Sequence, residues 1–255
     1  MKIMSKALFD LTQSQIETGY KEHNDVIIEK ETEFIFNKIL KTLLLVFSDK
    51  IVGITMDKES LSLPSNYLFS DKHHKNLIKW LNRLVLLEPP ASDLEFGKLK
   101  IDYENWYYQL GGEKMEFIFH DEYLLTSQEA ADALGVSKVT LSKYIKLGLD
   151  CCDTTSHKKI PRYAIELLKD PVYSIRMQMI AQEKKKSKQT PQERAKEIND
   201  ELLELRVKYK GKSFKEIFGK YNGDEMDDPT DYYSWKSLEE ELEEILKLGG
   251  GSSEL

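Results

Sequence analysis

The side chains with the most definite chemical use lie between Thr126 and Arg162. Leu125-Thr126-Ser127-Gln128-Glu129 sets a Thr after an apolar residue and a Glu three positions on. That spacing lets the hydroxyl and the carboxylate satisfy the unbonded amides of a helix start reciprocally. Ala130, Ala131 and Leu134 carry this helix to Gly135, which tolerates the left-handed conformation of a C-cap. Ser137 is positioned to cap a second helix over Lys138–Leu147, with Leu141, Tyr144 and Ile145 turned inward and Gly148 ending it. Ser137, Lys138, Val139, Thr140, Ser142 and Lys143 then face outward from its first turns. Short polar and cationic side chains on a rigid helix serve recognition, not bond making. Lys138 and Lys143 are placed for guanine edges or phosphate, and the Thr140 methyl for a thymine methyl. Val139 reads either as a second thymine contact or as core. Lys146, Lys158, Lys159 and Arg162 would neutralise phosphates and make affinity fall with salt.

Two short helices joined at Gly135-Val136-Ser137 give the helix-turn-helix pattern, in which the second helix enters the major groove and the first crosses the backbone. The string LLTSQEAADALGVSKVTLSKYIKLG resembles the opening of excisionase and MerR-type DNA-binding domains: an apolar-Thr start, an Ala-Ala pair, Leu-Gly-Val-Ser and a Tyr in the second helix. The resemblance covers about residues 123–170. It implies a wing at Cys151–Ile160, a further helix at Pro161–Lys169, and double-stranded DNA as partner. The wing departs from the family's Gly- or Arg-rich form, being basic only at its end, so Lys158, Lys159 and Arg162 are the phosphate candidates. One such module binds modestly, and an operator read by two copies implies a dimer or a partner protein.

Charge is distributed to match. The chain carries a net −7, but residues 1–123 hold 15 basic and 20 acidic side chains, residues 124–189 hold 12 and 7, and residues 190–255 hold 10 and 17. A basic middle between acidic flanks is the pattern of a local phosphate-binding surface. Composition, 40% apolar and 32% charged, excludes wholesale disorder. The longest strongly apolar run, Leu43–Phe47, is far short of a membrane span, and Met1–Leu11 has no signal-peptide form, so the chain reads as soluble and cytoplasmic. Cys151 and Cys152 are adjacent and cannot clip distant elements together; with His157 they lack the spacing of a zinc site and read as half-buried thiols.

The elements that must position this segment are coarser. Residues 1–24 show little periodicity and read as a loose lead-in. Residues 25–122 read as a small α+β domain: a helix over Glu31–Phe47, a strand over Lys50–Met56, a helix over Asp71–Leu87 ended at Pro89-Pro90, and a hairpin of Leu99–Leu110 with Lys114–His120 around Gly111-Gly112. His73-His74 read as solvated or partly capping, and Trp106-Tyr107-Tyr108 as strand core. Asp49, Asp57, Glu59 and Asp102 show no spacing that marks a metal site. Residues 123–189 hold the helix-turn-helix and a helix over Val172–Lys188, whose lysine-rich end reads either as a phosphate track or as a solvated linker. Residues 190–247 read as an acidic helical tail: a helix opened by Thr190-Pro191-Gln192-Glu193, a short one at Ser213, and a last one over Trp235–Leu246. Each buries too little alone, so the helices are expected to pack on the rest of the chain, on a second copy or on another protein, and an antitoxin-type hold on a partner is one such reading. Residues 248–255 are expected to be flexible.

The fold class expected is therefore α+β, with a small N-terminal α+β domain, a central winged helix-turn-helix and an acidic helical C-terminal tail. The function expected is sequence-specific binding of duplex DNA by a transcriptional regulator. A DNA-bending excisionase-like factor, an antitoxin-type regulator and a non-DNA-binding scaffold are the alternatives. No catalytic set, cofactor or metal is expected, and the chain does not read as an enzyme.

Overall fold

Helices dominate the chain, and each strand is short. The computed structural model describes residues 3–57, 63, 65–87, 91–153, 158–221, 226 and 228–250. Lys6–Glu22 forms α1, capped by the Ser5 side chain, and Asp25–Val46 forms α2, capped by Asn24. Residues 6–22 are therefore not a loose lead-in: Met4 and Ile16 are buried, and α1 packs on α2. The strand β1 (Ile51–Met56) follows, then a short α3 (Ser65–Leu68), α4 (Asp71–Leu86) capped by Ser70, and α5 (Asp93–Gln109). The expected break at Pro89-Pro90 lies outside the described residues.

The α5 helix corrects the expected hairpin. Ser92 and Glu95 form a complete capping box, and Phe96, Leu99, Tyr103, Trp106, Tyr107 and Leu110, all buried, recur at helical spacing. Trp106 stacks on Trp80 with ring centroids 5.7 Å apart, and Tyr103 stacks on Phe36 at 4.7 Å. The strand β2 (Met115–Phe119) is present, but it pairs antiparallel with β1, Met115 opposite Met56 and Phe119 opposite Ile51.

A 3-10 turn at Asp121–Tyr123 leads into β3 (Leu124–Leu125), α6 (Ser127–Leu134), α7 (Lys138–Leu147), β4 (Cys152–Asp153), β5 (Lys158–Pro161), α8 (Arg162–Leu168) and α9 (Pro171–Lys188). The three strands form one sheet in the order β3-β5-β4. Residues 25–122 and 123–184 share one core instead of closing two: Phe96 lies edge-on to both Tyr123 and Tyr163. The compact units are Met1–Lys184 and Lys185–Leu255.

The second unit contains α10 (Pro191–Lys208), α11 (Phe214–Phe218) and α12 (Thr230–Gly250). Its helices bury Ile198, Leu202, Phe218, Trp235 and Leu238 against one another, and Arg194 grips Glu241 with two hydrogen bonds of 2.6 and 2.7 Å. Short helices that cannot bury enough singly here do so together. The last helix starts at Thr230, before Trp235, and takes in Gly249 and Gly250; residues 251–255 lie outside the described residues.

His73 is not solvated, as expected from the sequence, but fully buried. The Thr32 hydroxyl donates to the Ile28 carbonyl at 2.7 Å, so its oxygen accepts from His73 Nε2 at 2.9 Å. Nδ1 is then the bare nitrogen, buried with no partner among the described residues. Burial, and secondarily His74, holds the His73 pKa down to about 4. An unfolded chain takes up this proton near pH 6.5, about the ordinary histidine value. The stability from a neutral His73 should therefore be complete above about pH 6.5, fall between there and pH 4, and level off below, by roughly 3 kcal/mol at most. Urea midpoints measured from pH 7 to pH 4 should fall less steeply for His73→Gln than for the wild type; parallel curves would refute the assignment.

Candidate nucleic-acid interface

Local hydrogen bonds fix both helices of the α6–α7 pair. Thr126 N donates to Glu129 Oε2 at 2.8 Å, and Glu129 N donates back to Thr126 Oγ1 at 3.3 Å, the complete capping box expected from the sequence. The Thr126 amide, and then the Thr126 hydroxyl, both donating to the Glu129 carboxylate, hold its pKa below the usual value. Gly135 ends α6 at φ 67°, with Val136 N bonded to Ala131 O at 3.0 Å. Ser137 Oγ accepts from Thr140 N at 3.1 Å to open α7, which ends at Gly148 with φ 110°.

On the inner side of α7, Leu141 is buried, as are Ala130 and Ala131 of α6, and Tyr144 and Ile145 pack against the same core. Ser137, Lys138, Val139, Ser142, Lys143 and Lys146 are exposed. Val139 is 69% exposed, so of its two sequence readings the core one is excluded. Thr140 is half-buried, with its hydroxyl 3.0 Å from Ser137 Oγ. Among the described residues, Lys138, Lys143, Lys146 and Arg162 have no carboxylate within ion-pair distance, although Arg162 and Lys159 are near enough to Glu129 to lower its pKa further. Lys159 is paired with Asp121 at 3.0 Å, so an anion at Lys159 must compete with an exposed carboxylate. Lys158 is exposed at the start of β5; the hairpin tip, residues 154–157, lies outside the described residues.

Behind the end of α7 lies a charged cluster that sequence reasoning missed. Asp150, two residues past Gly148, accepts from Lys100 of α5 and from the Tyr163 hydroxyl of α8. Lys100 is 2% exposed and also lies 3.0 Å from Glu104, which pairs with Lys184 of α9. Burial opposes the charge on Lys100, but Asp150 and Glu104 outweigh it and hold the ammonium well above its ordinary pKa. Burial likewise opposes the charge on Asp150, and Lys100 and Lys184 overcome it to hold the carboxyl far below the usual range. The i,i+4 spacing of Lys100 and Glu104 was the available signal, and it is visible only once α5 is read as a helix.

Of the four carboxylates weighed for metal chemistry, the three that are described do not converge. Asp49 pairs with Lys50, Asp57 accepts from the Tyr107 hydroxyl and from Lys114 N, and Asp102 is enclosed by cations. Glu59 and His157 lie outside the described residues. Cys151 and Cys152 are half-buried. No group of three or more His, Cys, Asp or Glu side chains suited to a metal ion occurs among the described residues, and no helix among them is long and apolar enough to cross a membrane. No family model, curated protein or solved structure matches the chain.

The two glycines flanking α7 should respond differently to alanine. A Cβ at Gly135 meets nothing within 4 Å, so Gly135→Ala should cost only the left-handed backbone penalty of about 1–2 kcal/mol. At Gly148 the added carbon lies 2.9 Å from the Gln178 Cα in α9, backbone that cannot swing aside. Gly148→Ala should therefore be the more destabilising of the two in urea denaturation; equal costs would contradict this packing.

Proposed function

We propose that residues 123–169 are a winged helix-turn-helix that binds double-stranded DNA in a sequence-specific manner, and that the chain is a transcriptional regulator. The observation that carries the reading is the outer surface of α7. A capped, ten-residue helix backed by Leu141 and the Ala130-Ala131 pair exposes three lysines, and none has a carboxylate partner among the described residues. A cationic helix surface without internal compensation is suited to phosphate and to the acceptor edges of guanine.

In this reading Ser137, Lys138, Val139, Thr140, Ser142 and Lys143 meet base edges. Lys146, Lys158, Lys159 and Arg162 meet phosphates, with β4 and β5 as the wing. A two-copy site would be served by a second copy, or by a partner protein, held through residues 190–247. Exposed Leu203 and Val207, one turn apart on α10, support that role.

Selecting bound sequences from random duplexes and measuring affinity across a salt series tests the proposal. Lys138→Glu and Lys143→Glu should each weaken the selected site by about 1–3 kcal/mol. Binding that ignores both substitutions, or that does not fall with salt, would reject it; a selected duplex that bends on binding would favour the excisionase-like role.

A further inference from the structure

Three cations converge on one buried carboxylate of α5. Asp102 in α5 has a side chain only 5% exposed. Its Oδ2 accepts from Arg83 Nη1 at 2.6 Å, Lys79 Nζ at 2.9 Å and the Tyr173 hydroxyl at 2.9 Å, and its Oδ1 accepts from Arg176 Nη1 at 2.9 Å. Lys98 lies over the same Tyr173 ring as Arg176 and pairs with Asp170 at 2.6 Å. Four cations thus face two carboxylates, and the surplus is positive.

Cross-linking α4, α5 and α9 through Asp102 requires one cation from each neighbour at most, so structure alone does not account for the surplus. Each guanidinium uses Nη1 on Asp102, and among the described residues the Nε and Nη2 groups of Arg83 and Arg176 have no acceptor. Both arginines lie over aromatic rings, Arg83 over Trp80 and Arg176 over Tyr173, each guanidinium carbon 4.9 Å from the ring centroid. Their rotamer freedom is already restricted before any ligand arrives. Lys79 and Arg176 have side chains 45% and 47% exposed, so the cluster opens to solvent.

We propose that Lys79, Arg83 and Arg176 form a binding site for a phosphate group. Two planar forks and an ammonium, two of the three from α4 and one from α9, offer more donors than one planar carboxylate can take and suit the several oxygens of a phosphate. Asp102 lies beneath, holding the three cations together and leaving them in excess. The phosphate belongs either to a nucleic-acid backbone or to a free phosphorylated compound, and the site's chemistry is the same for both.

Full-length protein titrated with inorganic phosphate at constant ionic strength, chloride replacing phosphate in the control, should show saturable binding by calorimetry. The Lys79→Gln/Arg176→Gln variant keeps the Arg83–Asp102 pair and should bind inorganic phosphate at least tenfold more weakly, with its circular dichroism unchanged. A salt series on duplex DNA separates the two sources. If the phosphate is the backbone's, the slope of log affinity against log salt should shrink in the variant by about 0.9 for every backbone phosphate it no longer neutralises. An unchanged slope with weakened phosphate binding assigns the site to a free phosphorylated compound. Failure of the wild type to bind phosphate above the chloride control, or equal binding by the variant, overturns the proposal. The phosphate titration stands even if the chain binds no duplex, so failure of the α7 reading and failure of this site are distinguishable.

Discussion

The ammonium of Lys100 is sealed inside the first unit, and the arrangement of the surrounding helices is constrained by the need to keep it charged. An isolated buried charge is strongly unfavourable, and one with hydrogen-bonded counter-charges is tolerable only if the geometry holds. Asp150 and Glu104 supply the counter-charges; the Tyr163 hydroxyl donates to the same Asp150 Oδ2 that receives Lys100, and Lys184 pairs with Glu104 Oε1. These five residues come from α5, the segment after α7, α8 and α9. Moving any of these elements relative to the others would leave a buried charge with too few partners. The cluster therefore acts less as a source of net stability than as a constraint on which packing of these helices is admissible.

That constraint bears directly on the outer surface of α7. A recognition helix works only if its orientation is fixed by what lies behind it, because its own exposed side chains cannot fix it. Leu141 and the alanine pair of α6 set its depth, while Asp150, immediately past the Gly148 cap, ties its C-terminal end to α5. The N-terminal segment thus has a mechanical role: α5 is at once the centre of the aromatic core and the anchor for the α7–β4 connection.

The parts of this fold that were legible in the sequence are those governed by local chemistry. Thr126 with Glu129, Ser137, Gly135 and Gly148 each act within one helical turn, so the bounds of α6 and α7 could be read without tertiary knowledge, as could the caps at Thr190 and Ser213. The hairpin expected at Leu99–Leu110 failed because α5 is buried nearly all round. Lys100, Asp102 and Glu104 are in the interior along with Tyr103 and Trp106, so no solvent-facing polar stripe reveals the helical period, and aromatic content then reads as strand. The α1 helix was hidden for a related reason, its buried positions being Thr12, Ile16 and Gly19, of which only one is strongly apolar. His73 was misplaced because burial of a neutral imidazole depends on Thr32, 41 residues away, which no local pattern reports. The cationic candidates were legible as residue types, but the pairing of Lys159 with Asp121, and the lack of a carboxylate partner for Lys138, Lys143 and Lys146 among the described residues, were not, since both depend on where the acidic side chains go.

That distribution bears on how an acidic chain can present a basic surface. Of the acidic side chains between 124 and 189, Asp150 is neutralised internally by Lys100, and Asp170 and Glu166 pair with Lys98 and Lys169. Glu129 is turned onto the amide of Thr126, and Asp132 accepts from Gln128. Engaged in the interior, at a helix cap or with other side chains, none of these carboxylates pairs with Lys138, Lys143 or Lys146. Fields from exposed charges decay over about 8 Å at physiological salt, so the acidic character of more distant residues is screened from an anion approaching α7. The net charge of −7 therefore says little about the surface that the α7 lysines present. The same separation of local from total charge applies at Asp102, where a single carboxylate gathers more cations than it can neutralise.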